Sequence, residues 1–157
     1  MFYYTSIQKD FNVFRYELDQ DLTSVIKTKL RNEEGKIYGS HGYIISVLQF
    51  SVDSYGRIDC DSGQTIYNVN FKAITLRLEK NEVILGKPYI INEHGFFCSI
   101  GPIIVFTSKH MMPSWDYDSS QNIWIKDSEV VSLNENVKLK ILASRINANE
   151  ITATATI

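Results

Sequence analysis

The sequence predicts an α+β domain over residues 1–79 followed by a small all-β barrel over residues 80–157. Three observations carry this. One stretch with helical periodicity lies in the first half, and a strand-like segment near the midpoint changes its apolar phase. The second half is a succession of short strand-like runs separated by turn residues. A chain of 157 residues accommodates two such domains, each near the lower size at which a hydrophobic core sustains itself.

Residues 1–6, with Phe2, Tyr3 and Tyr4, read as a strand, and they lack the basic flank and cleavage site of a signal peptide. Leu18, Leu22, Val25, Ile26 and Leu30 then form one stripe of a 3.6-residue period. Asp19 and Asp21 suit the start of that helix and Lys27, Lys29 and Arg31 its end, as the helix dipole prefers; Gly35 is the stop signal. Residues 43–50 are a β-branched and aromatic run. Residues 53–63 are turn-rich, with Tyr55-Gly56 and Ser62-Gly63 as the reversals.

In 67–78, Tyr67, Val69, Phe71 and Ala73 share one face, whereas Ile74, Leu76 and Leu78 have the opposite parity. Strand side chains alternate faces, so the switch means either a bulge or a strand serving two cores. The second reading is favoured and puts the joint near 79–81. Beyond it, strands are expected at 83–91, 95–100, 103–106, 123–125, 137–146 and 150–155, with 112–121 as a loop. Five or so short strands, closed on themselves to hide their edges, are the pattern of an OB-type barrel.

Hydrophobic residues make up 44% and charged residues 22%, an ordinary globular composition that argues against disorder. The net charge is −2, so any nucleic-acid contact must rest on local groups rather than on an overall basic field. Cys60 and Cys98 do not have metal-ligand spacing, which points to a reduced intracellular protein without a zinc site. The longest apolar runs fall far short of a membrane span. His41, His94 and His110 are dispersed, and no nucleophile elbow, phosphate-cradling glycine loop or paired-histidine zinc motif is present. Asp53, Asp59 and Asp61 lack the later ligands of a calcium loop and read as a solvated turn. A non-catalytic protein without metal or cofactor is the expectation.

The stretch from His94 to Gly101 is more informative. Alternation sends Phe96, Cys98 and Ile100 to one face and Phe97 and Ser99 to the other. If the first set fills the barrel, Phe97 is a large ring on the outside, suited to stacking a base of single-stranded RNA. The same position fits packing against a partner subunit or against the loop 112–121, and these residues alone leave both open.

Residues 82–113, EVILGKPYIINEHGFFCSIGPIIVFTSKHMMP, resemble the S1 domain of the RNA polymerase stalk-subunit family. That family comprises the seventh subunit of eukaryotic polymerase II, the archaeal E-prime subunit and the counterparts in polymerases I and III. The resemblance extends upstream through YNVNFKAITLRL and HGYIISVL and downstream through VKLKILASRINANEITATATI, so it covers nearly the whole chain. SKHMMP and KLKILASRI are most similar to the polymerase II branch.

The resemblance implies a ribonucleoprotein-like tip domain that docks on the polymerase core, followed by an S1/OB barrel near the RNA exit. It also implies a heterodimer with a helical fourth-subunit-type partner, contact with single-stranded nascent RNA and a nuclear location. Carried over by position, the RNA-binding rings are His94, Phe97 and Phe106, with Lys109 and His110 as phosphate contacts. Phe2 and Tyr3, and the loop turned by Gly56 and Gly63, are the implied core-docking elements. The chain departs from the family at Asn147 and Glu150, where S1 domains commonly carry Asp and Arg, and at Asn81, where glycine is common. The family also usually continues past the position of Ile157 in an acidic-aromatic tail. A free-standing S1-type RNA-binding protein of translation or RNA decay is the alternative.

Overall fold

The computed structural model describes residues 1–53 and 55–157. The chain divides into two units, Phe2–Leu76 and Arg77–Ile157, with Met1 grouped with the second.

In the first unit, β1 (Phe2–Val13) precedes α1 (Leu22–Arg31), β2 (Ile37–Tyr38), β3 (Gly42–Val52), β4 (Arg57–Ile58) and β5 (Thr65–Leu76). The sheet runs β1-β5-β3-β2 with β4 also on β5, and all its pairings are antiparallel. Alternation along β1 and β5 sends Ile7, Phe11, Val13, Val69, Phe71 and Ala73 to the face that α1 covers with Val25, Ile26 and Leu30. Phe71 is fully buried there, a burial that stabilises the unit by about 1.5–3 kcal/mol.

The helix begins later than the apolar stripe suggests. Asp21 is its N-cap and accepts the Ser24 N–H at 3.0 Å, so Leu18 lies outside it and is exposed. A short 3-10 turn, Arg15–Glu17, occupies the preceding stretch. Past the C-terminus of α1, Glu33 is buried between Lys9 (2.7 Å) and Lys36 (2.8 Å). Burial opposes its ionised form, but the hydrogen bonds from Lys36 and Lys9 outweigh that and hold its carboxyl below the usual range.

The phase switch in 67–78 does not come from a bulge within β5. β5 pairs with β1 in unbroken register from Thr65 to Leu76, and the bulges fall on β3, around Ile45 and Leu48. The odd face stays buried through Thr75, while Leu76 and Leu78 of the even parity are buried as well. Thr75 hides the continuity because it is polar by type, yet its hydroxyl pairs with that of Thr5 at 3.2 Å.

The second unit holds β6 (Val83–Asn92), β7 (Gly95–Ile100), β8 (Ile103–Ser108), β12 (Val137–Ile146) and β13 (Ile151–Thr156). They close into a barrel in the order β12-β13-β8-β7-β6, with β12 returning to β6 and β13 running parallel to β8. This is an OB-like barrel. Its interior is filled by Phe96, Cys98, Ile103, Val105, Leu139, Ile141, Ile151 and Ala155. Burial pushes the Cys98 thiol up to about 12. Gly86 also faces inward, where a Cβ would meet Leu139 Cδ1 at 2.9 Å and Cys98 Cβ at 3.0 Å, so a larger residue would make these neighbours shift.

Two expectations for this half are corrected. Residues 123–125 are not a barrel strand, and 112–121 is not simply a loop. A separate three-stranded sheet forms from β9 (Asp116–Asp118), β10 (Ile123–Lys126) and β11 (Glu129–Val131), in the order β11-β10-β9. Asn122 and Asp127 adopt positive φ at its two turns, where the chain reverses so that β10 pairs with β9 and β11. Trp124 is fully buried in this insertion. Asn81 likewise has φ +69, the conformation for which glycine is common at that position, and its N–H donates to the Ile141 carbonyl at 2.8 Å.

Candidate nucleic-acid interface

The barrel gathers the five expected RNA-binding residues at one end of the β7–β8 pair. Phe97 and Phe106 are direct cross-strand partners whose ring centroids lie 4.6 Å apart at 34°. Both are half-buried on the outer face, while Phe96 and Cys98 beside them point inward. Tyr89 of β6 extends the row, its ring 6.5 Å from that of Phe97.

His94 sits in the turn that precedes β7. Its N–H donates to Asn92 Oδ1 at 3.1 Å, and its carbonyl accepts the Lys109 N–H at 2.9 Å. That second bond ties His94 to the 3-10 turn Lys109–Met111, which the Ser108 hydroxyl caps by accepting the His110 N–H. His94, Lys109 and His110 are all exposed. Gly95 makes the crossing possible: its φ is +143, and a Cβ there would run into the Thr107 carbonyl oxygen. The result is a ring pair with an imidazole-and-ammonium margin, able to stack bases and to meet phosphates at once.

The sequence reading missed two neighbours. Beside Phe106 lies a shallow groove of about 280 Å³, walled in part by Arg145, Thr152 and Thr154. Register explains the placement. Thr154 stands beside Phe106 on β8 and opposite Ala143 on β12, and Thr152 stands beside Ile104 and opposite Arg145. A bulge around Leu142 re-aims the end of β12, so Arg145 is exposed beside the ring row. Arg145 is thus a cation on this face, whereas Asn147 and Glu150 belong to the β12–β13 turn, where the Asn147 N–H donates to the Glu150 carbonyl. Tyr89 and Arg145 were legible only as exposed-parity residues of strands; which face they share depends on barrel closure.

The four N-terminal residues are not brought together. Phe2, 59% exposed, pairs with Leu76, and the half-buried Tyr3 pairs with Thr75. Gly56 instead lies against Thr65 and Tyr67, whose β1 partners are Val13 and Phe11. The two places are at opposite ends of the β1–β5 pair, roughly 30 Å apart at about 3.3 Å per residue. Gly63, at φ +67, turns the same loop as Gly56, which also carries the exposed Tyr55 and Ile58.

Among the described residues no cluster of His, Cys, Asp and Glu could hold a metal ion, and no helix is long and apolar enough to cross a membrane.

No protein-family profile matches the chain. Curated relatives do. RNA polymerase II subunit rpb7 of Dictyostelium discoideum is 29% identical over 163 residues, covering 100% of this chain and 95% of the relative. Its namesake in Schizosaccharomyces pombe is 33% identical over 142 residues, 83% of this chain and 80% of the relative. RPB7 of Saccharomyces cerevisiae is 33% identical over 122 residues, 74% of this chain and 71% of the relative. These matches run through both units, and the chain belongs to the family of the seventh subunit of DNA-directed RNA polymerase II.

Proposed function

We propose that the chain is a non-catalytic subunit of nuclear RNA polymerase II that tethers rather than catalyses. In this reading the first unit is the ribonucleoprotein-related tip domain, covering residues 1–79, and it docks on the core subunits. Phe2 and Tyr3, at one end of the β1–β5 pair, and the loop of Gly56 and Gly63, at the other, make two separate contacts. The S1-type barrel, residues 80–157, forms a stalk with a helical fourth-subunit-type partner near the RNA exit and supports initiation.

The observation that carries the RNA part is the Phe97–Phe106 ring pair with His94, Lys109 and His110 at its margin. Two tilted rings accept a base of any identity, and the near-neutral chain supplies little long-range pull, so binding is modest and independent of sequence. Partner assembly brings transcript and barrel together, which makes high intrinsic affinity unnecessary.

A tagged chain expressed in a eukaryotic cell tests the assembly. Recovery of the large polymerase subunits together with a small helical protein is expected. Recovery of a monomer that binds RNA alone would overturn the subunit reading in favour of a free-standing RNA-binding protein.

A further inference from the structure

The three-stranded insertion between β8 and β12 has two unlike faces. The cross-strand row Tyr117–Trp124–Val131 lies on one of them, where Trp124 and Val131 are buried. By alternation the opposite face carries Ile123 and Ile125 of β10, Val130 of β11, and Asp116 and Asp118 of β9. Ile125 stands directly between Asp116 and Val130, and Ile123 is paired with Asp118. Val130 is 47% exposed, and the two isoleucines are half-buried. Residues 116–131 hold four carboxylates and one lysine, a net charge of −3 in a chain whose total is −2. None of these four carboxylates enters an ion pair among the described residues. The sheet is also braced. Asp118 Oδ1 accepts the Ser120 N–H at 2.8 Å and the Ser120 hydroxyl at 2.6 Å, and the Tyr117 hydroxyl donates to Asn122 Oδ1 at 2.7 Å. The bonds from Ser120 hold the Asp118 carboxyl below the usual range, so it is charged at neutral pH.

Charges on the edge strands β9 and β11 deter pairing with other strands, but that role does not call for aliphatic side chains on the face between them. Contiguous aliphatic groups rimmed by charge mark a surface that is covered in use. The sign of the charge selects the occupant. Carboxylates repel the phosphates of a nucleic acid and of an anionic membrane surface. An isologous contact between two copies would set like charge against like. A basic segment with apolar residues among its lysines or arginines satisfies both the aliphatic row and its rim. We propose that the outer face of this insertion docks such a basic linear segment of another protein. Its apolar side chains rest on Ile125 and Val130, and its cations meet Asp116 and Asp118. The braced turns present the face already ordered, so little ordering cost falls on this side of the contact. The inference is independent of the RNA assignment.

The test titrates isotope-labelled full-length chain with a short synthetic peptide in which leucines are set among lysines, and follows backbone amide resonances. Saturable shifts confined to residues 116–131 are expected, at an affinity that falls with salt. Asp116→Lys with Asp118→Asn should weaken binding by about tenfold or more, since one attractive contact becomes repulsive and another loses its charge. Asparagine keeps the oxygen that accepts from Ser120, so the turn should survive. Val130→Ser should weaken binding by about fivefold through lost apolar contact alone. Asp116 and Val130 are exposed, so the dispersed spectrum of the folded chain should persist in both variants. Absence of saturable shifts, equal binding of the same peptide with glutamates in place of the lysines, unchanged binding by both variants, or preferential binding of an oligouridine at these residues would overturn the proposal.

Discussion

Truncation of Phe97 to alanine should weaken single-stranded RNA binding by a bounded amount. One stacked base contributes about 1–3 kcal/mol. Phe97 does not stand alone, however: its centroid lies 4.6 Å from that of Phe106, and the two rings are tilted by only 34°. They form one platform, so Phe97→Ala removes a share of it and leaves Phe106 and Tyr89 in place. The lower part of the range applies, about 1–2 kcal/mol, or roughly a five- to thirtyfold rise in Kd. The fold should tolerate the change, because the lost ring–ring contact is worth about 0.5–1.5 kcal/mol and Phe97 is half-exposed. Fluorescence anisotropy of a labelled oligouridine with the chain and its helical partner measures the effect, with Phe97→Tyr as the ring-retaining control. Unchanged Kd in Phe97→Ala and in Phe106→Ala would refute the stacking argument. So would a Phe97→Tyr variant that loses as much as Phe97→Ala.

Three further outcomes follow from named contacts. Arg145→Ala should weaken oligouridine binding uniformly across sequences and lower the slope of log K against log salt by about 0.7, the signature of one lost phosphate contact. Gly95→Ala places a Cβ against the Thr107 carbonyl at φ +143, and should cost the barrel about 3 kcal/mol or more, seen as a fall in urea midpoint and as loss of amide protection at Lys109. Glu33→Gln should destabilise the first unit by about 1–2 kcal/mol at neutral pH, discounted because Lys9 and Lys36 remain partly exposed. Since the folded pKa of Glu33 lies below 4.5, its contribution is present above that value and is lost as pH falls through the folded pKa. The difference between wild type and variant in denaturant titrations should therefore vanish at acid pH.

Phe97 was legible because period-two alternation is local: Phe96, Cys98 and Ile100 are apolar and small or well packed, and Phe97 is left outside by parity alone, whereas its partner Phe106 was placed only by the resemblance. The helix was legible for the same reason, although Leu18 extended the stripe past a cap that only the Asp21–Ser24 bond reveals. The insertion was misread because Asn122 and Asp127 set their turns by positive φ, a backbone state that Asn and Asp permit but do not announce. The continuity of β5 was hidden by Thr75, whose burial depends on a hydroxyl partner 70 residues away.

The sequence by itself determined the helix of the first unit, the inward and outward parity of the barrel strands and, through its similarity along both units, the family. These follow from interactions within a few residues and from motifs that survive in linear order. Tertiary structure decided which strands close the barrel and that Arg145, not Glu150, stands beside the rings. It also decided that Phe2 and the Gly56 loop lie apart. Each depends on register between strands far apart in the chain, where a shift of one residue would turn every side chain to the opposite face.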